Sequence, residues 1–113
     1  MRDRGAGSIL AVAIIGALCA LTALVLPLYM VLVIRASVAG AADAAALAAA
    51  DARVGRATGF PCEQAAVVAE ANGADLVSCT VDGLVVTVSV SRPVAGFVVR
   101  AAATAGPPGS QVD

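Results

Sequence analysis

Residues 5 to 34 carry no charged side chain, and Arg4 and Arg35 bracket them. The inner part, SILAVAIIGALCALTALVLPLYMVLVI, is almost wholly Ala, Val, Ile and Leu. Written as an α-helix, the 30 residues from 5 to 34 exceed the roughly 20 that cross the hydrocarbon core of a bilayer. A helix satisfies its own backbone groups, which is what lipid demands of a spanning segment. The alternative is a buried core helix, but a 113-residue chain is too short to wrap such a helix on every side. The reading is a short head at 1–7 and a transmembrane helix at 8–34. A cleaved signal peptide fits poorly, since its apolar region runs to only about 7–15 residues. Leu18, directly before Cys19, is too large for a lipoprotein cleavage box, whereas the small residues Ser37 and Ala39 leave late cleavage open.

Composition removes several function classes. Hydrophobic residues make up 60% of the chain and charged ones 13%, against about 25% charged in an average soluble domain. The net charge of −1 gives no pull toward nucleic acid or toward an anionic membrane surface. There is no His, and all seven basic residues are Arg, which excludes histidine-based triads, lysine Schiff bases and P-loops. Aromatics at 3% leave no stacking platform for bases or sugars. Glu63, Glu70, Asp75 and Asp82 show no motif spacing and read as solvated helix and turn positions. The expectation is a non-enzyme with no cofactor, no metal and no small-molecule substrate.

Within the span, Pro27 lacks an N–H, so the carbonyl of Ala23 loses its helical partner and a mild kink is expected. Gly16 and Ala20 have small-xxx-small spacing, and with Gly40 further on they mark places where another helix can approach closely. Cys19 reads as a small apolar filler, because a thiolate is disfavoured in lipid. After Arg35 comes ASVAGAADAAALAAADARVGRA. Alanine has the highest helix propensity, so the helix is expected to run on to about Gly55, within an extension at 35–57. Its nearly all-Ala surface suits close packing against other helices or the chain's own C-terminal sheet; the alternative is a plain solvated helix.

A small α+β ectodomain is expected at 58–105. Gly59 and Pro61 break the long helix. A short helix from about Cys62 to Asn72 follows, with Glu63 in its first turn and Asn72-Gly73 as its stop. Its face of Cys62, Ala65, Ala66 and Ala69 recurs at helical spacing. LVSCTV-DG-LVVTVSVS then reads as a β-hairpin with Asp82-Gly83 in a type I′ turn. That register pairs Val81 with Leu84, Cys79 with Val86 and Val77 with Val88. One face becomes Val77, Cys79, Val81, Leu84, Val86, Val88 and Val90; the other holds Ser78, Thr80, Thr87, Ser89 and Ser91. Cys79 then points at the short helix, and a Cys62–Cys79 disulfide would staple the two. Two buried free thiols are the alternative; a metal site or redox pair lacks the ligand cluster or the C-x-x-C spacing. Arg92-Pro93 is expected to end the hairpin. FVVRAAATA permits a third strand, with Phe97, Val99, Ala101 and Ala103 on one face, although its alanines also permit a helix. Residues 106–113 read as a disordered tail.

The cationic head Met1-Arg2-Asp3-Arg4 favours a cytoplasmic N-terminus. A structural disulfide points the same way, since such bonds persist outside the cytosol. The expected location is therefore the plasma membrane, single-pass, with the C-terminal part extracytoplasmic and a shed or secreted form as the alternative.

The charged start, the apolar span, Arg35 and GAADAAALAAA together resemble the N-terminal region of TadE/TadG-like proteins of tight-adherence (Flp) pilus systems. The pattern C-x-x-A-x-x-V-A-x-A-N-G-A-x-L-V-S-C-x-V-x-G, Cys62 through Gly83, resembles the short TadE-like proteins of actinobacteria that are encoded beside helicase and secretion genes. The resemblance covers nearly the whole chain. It implies a membrane-anchored, pseudopilin-like or accessory structural part of a Tad-type pilus or secretion apparatus. Its implied partners are membrane lipid, other pseudopilins, platform proteins and an ATPase complex. Prepilin-like proteins of this kind are cut after a Gly, with a Glu five residues into the mature chain. Cleavage after Gly5 puts Leu10 there, and cleavage after Gly7 puts Val12, so this chain departs from the pattern. The alternative function is a secreted or membrane-anchored binding module that recognises a partner through its sheet.

Overall fold

The computed structural model of the chain describes residues 2–108, with side chains from Gly5 onward. The last five residues of the expected tail lie outside the described residues. The fold is α+β: helix α1 (Arg2–Arg53), helix α2 (Pro61–Ala71) and strands β1 (Asp75–Asp82), β2 (Val85–Val94) and β3 (Phe97–Ala105). The strands form one antiparallel sheet in the order β1-β2-β3. The chain divides into two compact units between Val33 and Ile34, inside α1.

The first unit is helix alone. Its large apolar residues, among them Ile9, Leu18, Leu24, Leu28 and Val31, are exposed on all sides. The helix is long and apolar enough to cross a membrane, with a mean hydropathy of 2.8 over its most apolar window. The Thr22 hydroxyl donates to the carbonyl of Leu18 at 2.9 Å, so this polar group of the span is satisfied within the helix.

In the second unit the alanine-rich part of α1 becomes a wall of the core. Val38, Ala41, Ala42, Ala45, Ala46 and Ala49 are buried at the 3- and 4-residue spacing of one helix face. They form a single cluster with Val86, Val88 and Val90 of β2 and with Ala65, Ala69 and Ala74 of α2 and the chain after it. Among the described residues no polar or charged side chain is buried. The alanine surface therefore packs on the chain's own sheet. The helix side of this cluster is almost all Ala, so its bulk comes from the valines, each worth about 1.5–3 kcal/mol of burial. α1 ends at Arg53, two residues before Gly55, and the Arg53 Nε donates to the carbonyl of Gly83 at 2.8 Å.

α2 starts with Pro61 at its first position and carries Glu63 in its first turn. It stops in a Schellman motif: Gly73 has φ 78°, its N–H bonds to Glu70, and the N–H of Ala74 bonds to Ala69.

The hairpin register differs from the sequence expectation. Val81 pairs with Val86, Cys79 with Val88 and Asp82 with Val85, so the two-residue loop is Gly83-Leu84, not Asp82-Gly83. Gly83 has φ 62° and Leu84 is not in the left-handed region, an arrangement that fits a type II′ turn with Gly first. The shift is two residues and keeps the valines of β2 on the core face. A bulge between Leu76 and Ser78 then changes the start of β1. Leu76, paired with Val90, packs against the core, while Val77 is exposed. Leu84, expected on the core face, is exposed in the turn.

Arg92-Pro93 does not end β2. Pro93 sits inside the strand and pairs with Val98, past the last β1 pairing at Asp75–Ser91. On the side of Pro93 that would face β1 there is no strand to receive an N–H, so the missing donor costs nothing there. FVVRAAATA is a strand, with Val99, Ala101, Ala103 and Ala105 packed against the core. The turn before it, Ala95-Gly96, has φ 48° and 85°, both positive as type I′ requires.

Two stability outcomes follow. Ala95 holds a left-handed conformation that costs a non-Gly residue about 1–2 kcal/mol and that Asn tolerates better. Ala95→Asn is expected to raise stability by about 0.5–1 kcal/mol in thermal unfolding of the full chain in detergent, and a lower midpoint would contradict the turn assignment. Ala45→Leu is expected to cost about 1–3 kcal/mol by overpacking the helix–sheet contact. Leu47→Ala, on the exposed side of the same helix, should stay within about 0.5 kcal/mol, and equal costs at both sites would count against the packing described.

Candidate functional site

The chemistry-bearing residues are spread out. Glu63 and Glu70 lie two turns apart on α2, and Asp75 and Asp82 stand at opposite ends of β1; all four are exposed. Among the described residues no three His, Cys, Asp or Glu side chains gather as a metal site would require. What the structure offers instead is one covalent staple and several uncovered surfaces.

The staple is the disulfide Cys62–Cys79, with Cα atoms 5.8 Å apart. That lies in the usual bridging range. It joins the first turn of α2 to the middle of β1, opposite Val88. Ala65 and Ala69 follow Cys62 at helical spacing and are fully buried, so the bond holds the buried face of α2 over the sheet. Cys19 is a free, exposed thiol.

The small residues singled out for close helix approach stand open. A Cβ added at Gly16 or Gly40 would meet nothing within 4 Å, and Ala20 is exposed. Gly5 and Gly7, the candidate processing positions, lie in α1 and are equally unobstructed. No described residue fills the space that these positions leave.

The sheet face away from α1 and α2 is a surface of hydroxyls. Thr80, Thr87 and Thr104 form one cross-strand row, and the Thr87 and Thr104 hydroxyls are 3.1 Å apart. Ser78 and Ser89 form the next row, and Ser91 pairs with Arg100 beyond it. These groups can donate and accept hydrogen bonds from outside. β1 and β3 are both edge strands. β1 is interrupted by its bulge and has an Asp at each end, whereas β3 carries a single charge, Arg100. A shallow depression lies where the end of α1, with Leu47, Asp51 and Val54, meets the chain leaving β3 at Ala105–Pro108.

Sequence reasoning found the disulfide pair and the hydroxyl face. It missed the bulge, although two adjacent apolar residues, Leu76 and Val77, break the alternation and signal one. The continuation of β2 and β3 past Ser91 is not legible either, because a Pro in a strand pattern reads as a stop.

The disulfide closes a span of 17 residues, for which the chain-entropy model gives about 3 kcal/mol. Reduction, or the double change Cys62→Ser with Cys79→Ser, is expected to lower stability by about that amount in thermal unfolding of the full chain, and an unchanged midpoint would show that the core holds α2 without it. No family model, no curated protein and no solved structure matches the chain.

Proposed function

We propose that the protein is a membrane-anchored structural component of a Tad/Flp-type pilus or secretion apparatus, pseudopilin-like or accessory. One observation carries the reading. A single helix, α1, supplies an apolar segment exposed on every side and then, from Val38 on, the wall of a disulfide-closed domain core. Anchor and displayed domain are thus parts of one secondary-structure element. In this reading the N-terminus is cytoplasmic, the disulfide-bearing unit is extracytoplasmic, and Gly16, Ala20 and Gly40 receive the helices of neighbouring pseudopilins or platform proteins. The work is mechanical: packing in the membrane and display of a small domain beyond it. The Tad assignment rests on the resemblance of the span, the alanine run and the Cys62-to-Gly83 pattern.

A second reading has its own support in the uncovered hydroxyl face and the lightly charged β3 edge. It is a secreted or anchored module that binds a partner through its sheet.

Intact-mass analysis of membrane, sheared-filament and medium fractions tests both. A chain from Met1 confined to membranes fits a fixed accessory anchor. A chain starting at Ala6 or Ser8 in the filament fraction fits a processed pseudopilin despite the missing Glu. A start near Gly40 in the medium overturns the anchored reading in favour of the module. It would also strip Ile34 and Val38 from the core, so such a form should melt below the full chain.

A further inference from the structure

We infer that the β2–β3 tip, Pro93 to Val98, is a second membrane contact that dips into the lipid headgroup region. The inference rests on the membrane-anchored reading. Its geometry lies wholly within the second unit. The Arg53 side chain bonds to Gly83 at the β1–β2 turn, and β3 ends at Ala105 beside Leu47 and Val54. The C-terminal end of α1 therefore sits at one end of the sheet. From Ile34 to Arg53 the helix rises about 28 Å, and β2 from Val85 to Val94 extends about 30 Å. The Ala95-Gly96 turn thus lies at the end of the sheet away from Arg53, and Ile34, at the other end of this stretch of α1, packs as Val99 does against the core cluster. Ile34 is also where the uncharged run ends and Arg35 begins.

The chemistry of the tip suits that place. Beyond the last pairing of β1, the strands continue as a two-stranded ribbon. Phe97 is 76% exposed and Val98 59%, the one on the α1 side of the ribbon and the other, with Pro93, on the opposite side. An apolar tip that no described residue covers on either side marks an interaction site. One step behind it are Arg92 and Arg100. No acidic residue lies between Asp82 and Asp113, so the ribbon is purely cationic; Asp75, opposite Ser91, stands at its base. Apolar groups in front with guanidinium groups behind them match the acyl boundary and the phosphate layer of a bilayer.

The chain has no Trp, so a single Trp is a clean depth reporter. The full chain is placed in vesicles of phosphatidylcholine, with or without phosphatidylglycerol, as Phe97→Trp, Val98→Trp, Phe60→Trp or Leu21→Trp. Phe60 is exposed on the loop into α2, beyond the Arg53 end of α1, and serves as the aqueous control. The expected result is blue-shifted emission at positions 97 and 98, quenched by brominated lipid and shielded from iodide, with the reverse at position 60. Arg92→Gln with Arg100→Gln should reduce the lipid quenching in phosphatidylglycerol vesicles more than in phosphatidylcholine alone. Iodide quenching at 97 and 98 as strong as at 60, with position 21 still quenched by lipid, overturns the tip contact and leaves the anchor standing. A blue shift at 97 that brominated lipid does not quench and that disappears on diluting the protein in the bilayer assigns the tip to a second copy and also overturns it. Loss of lipid quenching at position 21 overturns the anchor itself.

Discussion

The second unit depends on the contact between the alanine face of α1 and the valines of β2. A three-stranded sheet with one apolar face is not stable in water until something covers that face. α2 lies over β1, so the central valines need another cover, and the segment from Val38 to Ala49 supplies it. Alanine suits the task for two reasons. It favours the helix even before packing, and its small apolar side chain is buried at little entropic cost. Every other feature of the unit elaborates this contact. The disulfide holds α2 beside it, the Schellman turn at Gly73 redirects the chain into β1, and the Arg53 bond closes the far end.

The same helix carries the exposed apolar residues of the first unit. Its later residues, Val38 to Ala49, are part of the core, so this stretch of α1 cannot leave the sheet without exposing apolar surface. No polar side chain is buried among the described residues, so the core is held by apolar packing and one covalent bond.

The two turns of the sheet show how local chemistry and register trade against each other. Asp82-Gly83 has the composition of a type I′ turn, yet the chain uses Gly83 as the first loop residue and lets Leu84 take the second place. The reward is the full pairing of β1 with β2 and the burial of Leu76 through the bulge. At the other turn Ala95 accepts a left-handed conformation so that β2 and β3 can continue past Pro93. That projection is the basis for assigning the tip to lipid.

Much of this was legible in the residues themselves. Thirty uncharged, almost wholly aliphatic residues point to a long apolar helix, which satisfies its own backbone groups and is long enough to cross a membrane. Alanine propensity carries that helix onward, Asn72-Gly73 stops the next one, and the valine alternation of β2 marks a one-sided strand. The period of two also put Cys79 on the covered face, which made Cys62 its natural partner. The tertiary structure decided what a periodic pattern leaves open. Residues 81 to 86 permit more than one register of the same parity, and the bulge after Leu76 follows from which residue the core accepts opposite Val90. The strand at Phe97–Ala105 was equally undetermined, since its alanines suit a helix. It is a strand because β2 offers it a full antiparallel ladder over an apolar face, which an isolated segment of that composition does not have.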